Sequence, residues 1–158
     1  MNFQYFESPL GTLRLVSSEA GLTHIEFEGQ HRSDGAAHND SDLYLQNCAA
    51  QLREYFAGTR RHFELQLAPS GTEFQQQVWD ALSMIPYGEV RSYADIARNI
   101  KRDKAVRAVG AANGRNPLPI VVPCHRVIGS DGSLAGFAGG LEAKTLLLRL
   151  EGALQSLH

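Results

Sequence analysis

Asn116-Pro117-Leu118-Pro119-Ile120-Val121-Val122-Pro123-Cys124-His125-Arg126-Val127 is a stretch that neither a helix nor a central strand can accommodate. Its three prolines, at 117, 119 and 123, fix the backbone and withhold donors that a sheet interior would need. The residues between them are apolar, so the segment is expected to cross an interior in a rigid, irregular form. A cysteine held there is preorganised and partly desolvated. Desolvation alone lifts a thiol above its usual value of about 8.5 and leaves it inert. A reactive Cys124 therefore needs a proton acceptor. His125 stands beside it, and Arg126 adds positive potential. From spacing alone two readings stay open: a small packed hydrophobe next to a chance histidine, or a nucleophile with its base. No second Cys/His pair stands at ligand spacing, so no metal is expected.

Working back from this segment, the chain reads as short helices. Thr72 and Gln75 have capping-box spacing and open a helix through Phe74, Val78, Trp79, Leu82 and Ile85, which Pro86-Tyr87-Gly88 stops. Ser92 and Asp95 mark a second start, running to about Ile100. Asp103 is expected to cap a third helix, from Lys104 to about Asn113. The last two have helix-turn-helix proportions. The third helix pairs one long cation, Arg107, with Ala108, Gly110, Ala111, Ala112 and Gly114. Gly110 costs a helix roughly 1 kcal/mol against Ala, so a steric reason is expected, either DNA or a closely packed neighbouring helix. Arg91, Arg98, Lys101, Arg102, Lys104, Arg107, Arg115 and Arg126 face only Asp95 and Asp103, so this region carries +6 of a net -2 and leaves -8 elsewhere. A basic surface on an acidic body suits a phosphate-contacting face or a solvated helical one. Overall charge argues against coating nucleic acid by bulk electrostatics.

Downstream, a helix from about Leu141 to Leu150 ends at Gly152 and places Glu151 where a carboxylate opposes the dipole by roughly 0.3–1 kcal/mol. An imidazole nearby would compensate and complete a Cys-His-Glu relay; the other reading is an exposed acid at a frayed end.

The first part reads as sheet. Strands are expected at Phe3 to Phe6, Leu13 to Val16 and Leu22 to Phe27, with a loop over residues 29–42. A helix from about Asp42 to Phe56, closed by Gly58, and a strand over Phe63 to Leu67 follow. Ala68-Pro69-Ser70-Gly71 marks the boundary, giving domains over 1–68 and 69–158 and an α+β class. The 158 residues are 43% hydrophobic and 20% charged, with no run long enough to span a bilayer and no signal-peptide pattern at the start. The two cysteines suggest no stapled scaffold, so a cytoplasmic location is expected, and Cys48 is read as core packing.

Pro123-Cys124-His125-Arg126-Val127 resembles the active-site signature of the O6-alkylguanine-DNA alkyltransferases, also called methylated-DNA–protein-cysteine methyltransferases. Residues 107–117 resemble that family's recognition helix and asparagine hinge, and residues 136–144 and 146–152 its substrate loop and last helix. The likeness covers about Thr72 to Gly152; the first 70 residues are compatible with the family's variable, RNase H-like sheet domain, expected as a support.

The resemblance implies direct reversal of damage. An alkyl group on guanine O6, with O4-alkylthymine left open, moves once and irreversibly to Cys124. His125 takes the thiol proton through a water, Glu151 orients His125, and Asn116 braces the loop. Tyr93 assists rotation of the nucleotide and donates a proton to the departing guanine. Arg107 enters from the minor groove and fills the space of the flipped base, on a surface that includes Gly110, Ala111 and Arg115. The carbonyls of Cys124 and Val127 read the guanine amino edge, the N–H of Ala138 bonds O6, and Phe137, Gly139 and Pro119 complete the pocket. No cofactor and no membrane is implied, and double-stranded DNA meets a monomer. Phe137 stands where Tyr is common in the family and Ala138 where some members have Ser. A non-catalytic member binding alkylated DNA is the alternative, and Cys124 argues against it.

Overall fold

The computed structural model describes residues 1–134 and 136–154. The chain forms two compact units, Met1–Ser70 and Gly71–His158.

In the first unit, β1 (Asn2–Ser8), β2 (Gly11–Ser18) and β3 (Gly21–Glu26) form an antiparallel meander. The short β4 (Ala37–His38) runs parallel to β1, giving the order β3-β2-β1-β4. Helix α1 (Leu43–Phe56) starts on Asp42, whose carboxylate accepts the Leu45 N–H. It buries Leu45, Cys48, Leu52 and Tyr55, and with Leu13 and Leu15 these residues have no exposure at all. Elsewhere in this unit Arg14 lies over the Phe3 ring and is paired with Glu26 at 2.9 Å and Asp34 at 2.7 Å.

Two expectations for this unit need correction. The loop over 29–42 contains β4. The run from Phe63 to Leu67 is no strand and makes one bridge, Leu22 to Leu67. The reason lies in α1: the Gln51 amide takes both the N–H and the carbonyl of Glu64, removing the groups a ladder would use.

In the second unit, α2 (Glu73–Ser83) and α3 (Tyr93–Asn99) each begin with a capping box, Thr72 with Gln75 and Ser92 with Asp95. Helix α4 (Val106–Gly114) follows, and α5 (Leu141–Leu150) is the last. The Trp79 indole N–H donates to the Ala112 carbonyl at 2.9 Å, tying α2 to α4. A Cβ on Gly71 would lie 2.5 Å from the Trp79 ring, so the chain enters α2 in contact with that side chain.

Asp103 does not cap α4. The N-cap is Ala105, with no side-chain bond, and the turn is closed by backbone bonds from Lys101, Arg102 and Ala105 with Lys101 at φ 61°. Helix α4 therefore starts too late for Asp103 to reach its first free N–H groups. The sequence also gave no sign of the parallel pair of β5 (Arg91–Ser92) and β6 (Val127–Ile128), since two residues cannot show a period of two. Among the described residues no helix is long and apolar enough to cross a membrane.

Candidate active site

The proline-rich segment is rigid for a specific reason. The Asn116 side chain reaches forward in two directions: its Nδ2 donates to the Val122 carbonyl at 2.8 Å, and its Oδ1 accepts the Leu118 N–H at 3.0 Å. Together with the Val122 N–H to Leu118 carbonyl bond, this closes the loop ahead of a 3₁₀ turn over Cys124–Arg126. Cys124 is 5% exposed. Burial pushes its thiol up to about 11, against the pull of the Asn116 amide, the Lys144 charge and the backbone N–H groups of Cys124 and His125. Cys124 is therefore a thiol at neutral pH, with an amide, an ammonium and two N–H groups placed to offset part of the cost of losing its proton. Lys144 on α5 has no exposure, and its Nζ donates to the Val127 carbonyl at 2.6 Å.

The proton acceptor is defined by what holds it. His125 is wholly buried, and its Nε2 lies 2.8 Å from Glu151 Oε2. Burial alone would raise the Glu151 carboxyl, but hydrogen bonds from His125 and Arg126 bring it down to about 2. An ionised carboxylate can only accept, so Nε2 carries the hydrogen and Nδ1 presents a lone pair. That Nδ1 has no partner among the described residues. Burial lowers the imidazole below its ordinary value, with Glu151 pulling back, so it stands neutral and ready to take a proton.

Arg126 completes the arrangement. Its Nε donates to Glu151 Oε1 at 2.8 Å, its Nη2 to Oε2 at 3.0 Å and its Nη1 to the Ile85 carbonyl at 2.7 Å. Its guanidinium also lies over the Tyr87 ring, whose hydroxyl donates to the Leu150 carbonyl. The acid at the end of α5 is thus buried and compensated by two partners, not by the imidazole alone.

Tyr93 opens α3 half-buried, and both burial and the nearby Cys124 push its phenol up. A Cβ on Gly136 would meet the Tyr93 hydroxyl at 2.9 Å, so the segment around Gly136 lies against it. A Cβ on Gly110 would meet the Tyr93 ring at 3.8 Å, an ordinary contact, so packing in the free protein does not demand glycine there. The Phe137 ring stands edge-on to His125, with centroids 6.4 Å apart. Val127 and Pro119 are buried, Gly139 is half-buried, and Ala138 is exposed just ahead of α5. Arg107 and Ala111 are exposed on α4, with Arg115 exposed at its end, whereas Cys124, His125, Arg126, Lys144 and Glu151 are buried.

Sequence reasoning gave Arg126 no structural role and passed over Lys144 and Asn113. The signal for Lys144 was present: it shares the buried face of α5 with Leu147, Leu148 and Glu151 at the i, i+3, i+4, i+7 spacing.

Two family models match nearly the whole chain. Residues 1–69 match the ribonuclease-like domain of 6-O-methylguanine DNA methyltransferase, and residues 73–153 match its DNA binding domain. A methylated-DNA–protein-cysteine methyltransferase of Methanosarcina acetivorans is 48% identical over 157 residues, covering 97% of this chain and 99% of that protein. The constitutive methyltransferase of the same name from Bacillus subtilis is 48% identical over 152 residues, 92% of each chain. Among solved structures, Mycobacterium tuberculosis OGT in complex with DNA superposes with a TM-score of 0.91 at 42% identity, covering 97% of this chain and 94% of that one.

Proposed function

Since the chain belongs to the 6-O-methylguanine DNA methyltransferase family, we propose that it repairs DNA by taking the alkyl group of an O6-alkylguanine onto Cys124. The observation that carries this reading is the orphaned, buried Nδ1 of a neutral His125 whose other nitrogen is fixed by an ionised Glu151. A water in hydrogen-bond reach of Nδ1 relays the thiol proton to it. The Cys124 sulfur then attacks the alkyl carbon, the S–C bond forms as the C–O bond breaks, and the electron pair leaves on guanine O6. The departing guanine is neutralised by a proton from Tyr93, whose phenol stays protonated at neutral pH. The developing thiolate is met by the Asn116 amide, the N–H groups of Cys124 and His125, and the Lys144 charge.

The product is a thioether, which no ordinary reductant returns to a thiol, so each molecule acts once. Residues 69–158 carry the chemistry and the DNA surface, and residues 1–68 serve as support. The exposed Arg107 enters the duplex from the minor groove and occupies the space of the flipped base, while Gly110 and Ala111 let the groove wall approach. Gly110 has no packing demand within the protein, which favours DNA as its reason. Phe137, Ala138, Gly139, Pro119 and the carbonyl of Val127 line the base pocket, and Arg115 meets the backbone. The protein acts as a monomer in the cytoplasm.

The test is intact-protein mass after mixing with an equimolar duplex carrying one O6-methylguanine. A gain of one methyl in place of one proton, absent in Cys124→Ala, is expected. Tight lesion binding at unchanged mass would place the chain with non-catalytic lesion binders.

A further inference from the structure

Asn113 lies in the last turn of α4 and is 2% exposed, yet its amide is only half used. Its Nδ2 stands 3.5 Å from the Cys124 carbonyl, at the limit of a hydrogen bond, and its Oδ1 has no partner among the described residues. The orientation is not arbitrary. Exchanging the two amide atoms would set an acceptor against the Cys124 carbonyl, so the oxygen must be the atom left over. A buried acceptor without a donor destabilises a fold by about as much as a lost hydrogen bond. An apolar side chain of similar size would carry no such cost.

On the reading above, the edge of the flipped guanine comes to the Cys124 carbonyl, and it brings an exocyclic amino group with two hydrogens. Of the acceptors at this end of the site, the Val127 carbonyl already receives the Lys144 ammonium at 2.6 Å, whereas Asn113 Oδ1 receives nothing from the described residues. We infer that Asn113 is a specificity-determining residue, holding the Cys124 carbonyl with its Nδ2 and offering its Oδ1 to the guanine amino group. Alkylated purines without that group leave Oδ1 unsatisfied. The side chain also joins α4, which carries Arg107, to the nucleophile's own carbonyl, so the element that opens the duplex sets the edge that selects the base.

Two lesions that differ only at the 2-position test this: duplexes carrying O6-methylguanine and O6-methylhypoxanthine, with single-turnover transfer rates measured for wild type, Asn113→Leu and Asn113→Asp. Wild type is expected to prefer the guanine lesion by about tenfold, the scale of one buried hydrogen-bonded group. Asn113→Leu, which also loses the hold on the Cys124 carbonyl, should slow on both lesions but several-fold more on the guanine one, so that the preference between them is lost. Asn113→Asp keeps the acceptor while repelling the Cys124 carbonyl, so both rates should fall with their ratio kept. Equal losses on both lesions in Asn113→Leu, or a wild type blind to the amino group, would overturn the inference. If Asn113→Leu does not fold, Asn113→Ser replaces it, and an unchanged ratio in that variant overturns it equally. Wild type failing to act on either lesion would remove the functional reading and this inference with it.

Discussion

Glu151 fixes which nitrogen of the buried His125 carries the hydrogen. Its two oxygens receive one bond from His125 and two from Arg126, and the resulting carboxylate fixes the imidazole tautomer. Glu151→Gln replaces an acceptor-only group by one that can also donate, so the tautomer is no longer fixed and Arg126 loses its counter-charge. Transfer should slow by at least about 100-fold with lesion binding preserved, a split that single-turnover kinetics beside equilibrium binding will show. The same two groups set a pH dependence with a definite sign. His125 is held below its ordinary 6.5, so the unfolded chain gains a proton that the folded one refuses. Stability is therefore full above about pH 6.5 and falls as pH drops below it. Glu151 adds a second loss between its ordinary 4.5 and about 2. Urea midpoints at pH 8 and pH 5.5 should differ in wild type and differ less in His125→Gln, where the half-buried His24, also held below 6.5 by burial, still contributes. A midpoint independent of pH in wild type would contradict the burial argument.

At the scale of elements, what could be read early was whatever rests on local chemistry. Thr72 with Gln75 and Ser92 with Asp95 each put a hydroxyl and a carboxyl or amide at the spacing that satisfies free N–H groups, and both helices start there. Thr72→Ala should therefore cost about 1 kcal/mol, a drop of about 2–4 °C in thermal midpoint, with the transfer rate unchanged. What could not be read depends on partners far along the chain. The strand over 63–67 failed because Gln51 took the Glu64 backbone, and β5 and β6 are legible only once residues 91 and 127 are known to meet. Gly136 belongs to this second kind. It has φ 89°, and a Cβ there would stand 2.9 Å from the Tyr93 hydroxyl. Gly136→Ala is expected to displace that hydroxyl or the segment carrying Phe137 and to slow transfer about tenfold or more. A Cβ at this φ is strained as well, so the thermal midpoint should fall by a few degrees, and a rate equal to wild type, measured well below that midpoint, would show that the Tyr93 contact is dispensable.

For the whole molecule, the two-part organisation and the α+β class were visible in the change from alternating strands to capped helices near Ala68-Pro69-Ser70-Gly71. Of the buried cluster that forms the candidate site, Cys124, His125 and Glu151 were legible because each breaks a local rule: a cysteine among prolines, an imidazole beside it, and an acid at the wrong end of a helix. Arg126, Lys144 and Asn113 were not, since a buried cation or amide is recognised by its surroundings and not by its neighbours in sequence. The depth of that cluster has a consequence for the protein after it has reacted. Cys124 is 5% exposed, His125 and Lys144 are fully enclosed, and a methyl on sulfur has to be accommodated by side chains already in contact. Inserting a methyl group into a packed interior costs about 1–3 kcal/mol, which for a chain of this size lowers the thermal midpoint by roughly 2–12 °C. Alkylation also removes the thiol proton, so the proton relay to His125 Nδ1 proposed above loses its donor. Thermal unfolding of the protein before and after reaction with a methylated duplex, with the DNA removed, should show the lower midpoint in the reacted form only. A larger alkyl group should lower it further, in the order methyl, ethyl, benzyl. Equal midpoints for all forms would mean that the site opens to admit the group without strain.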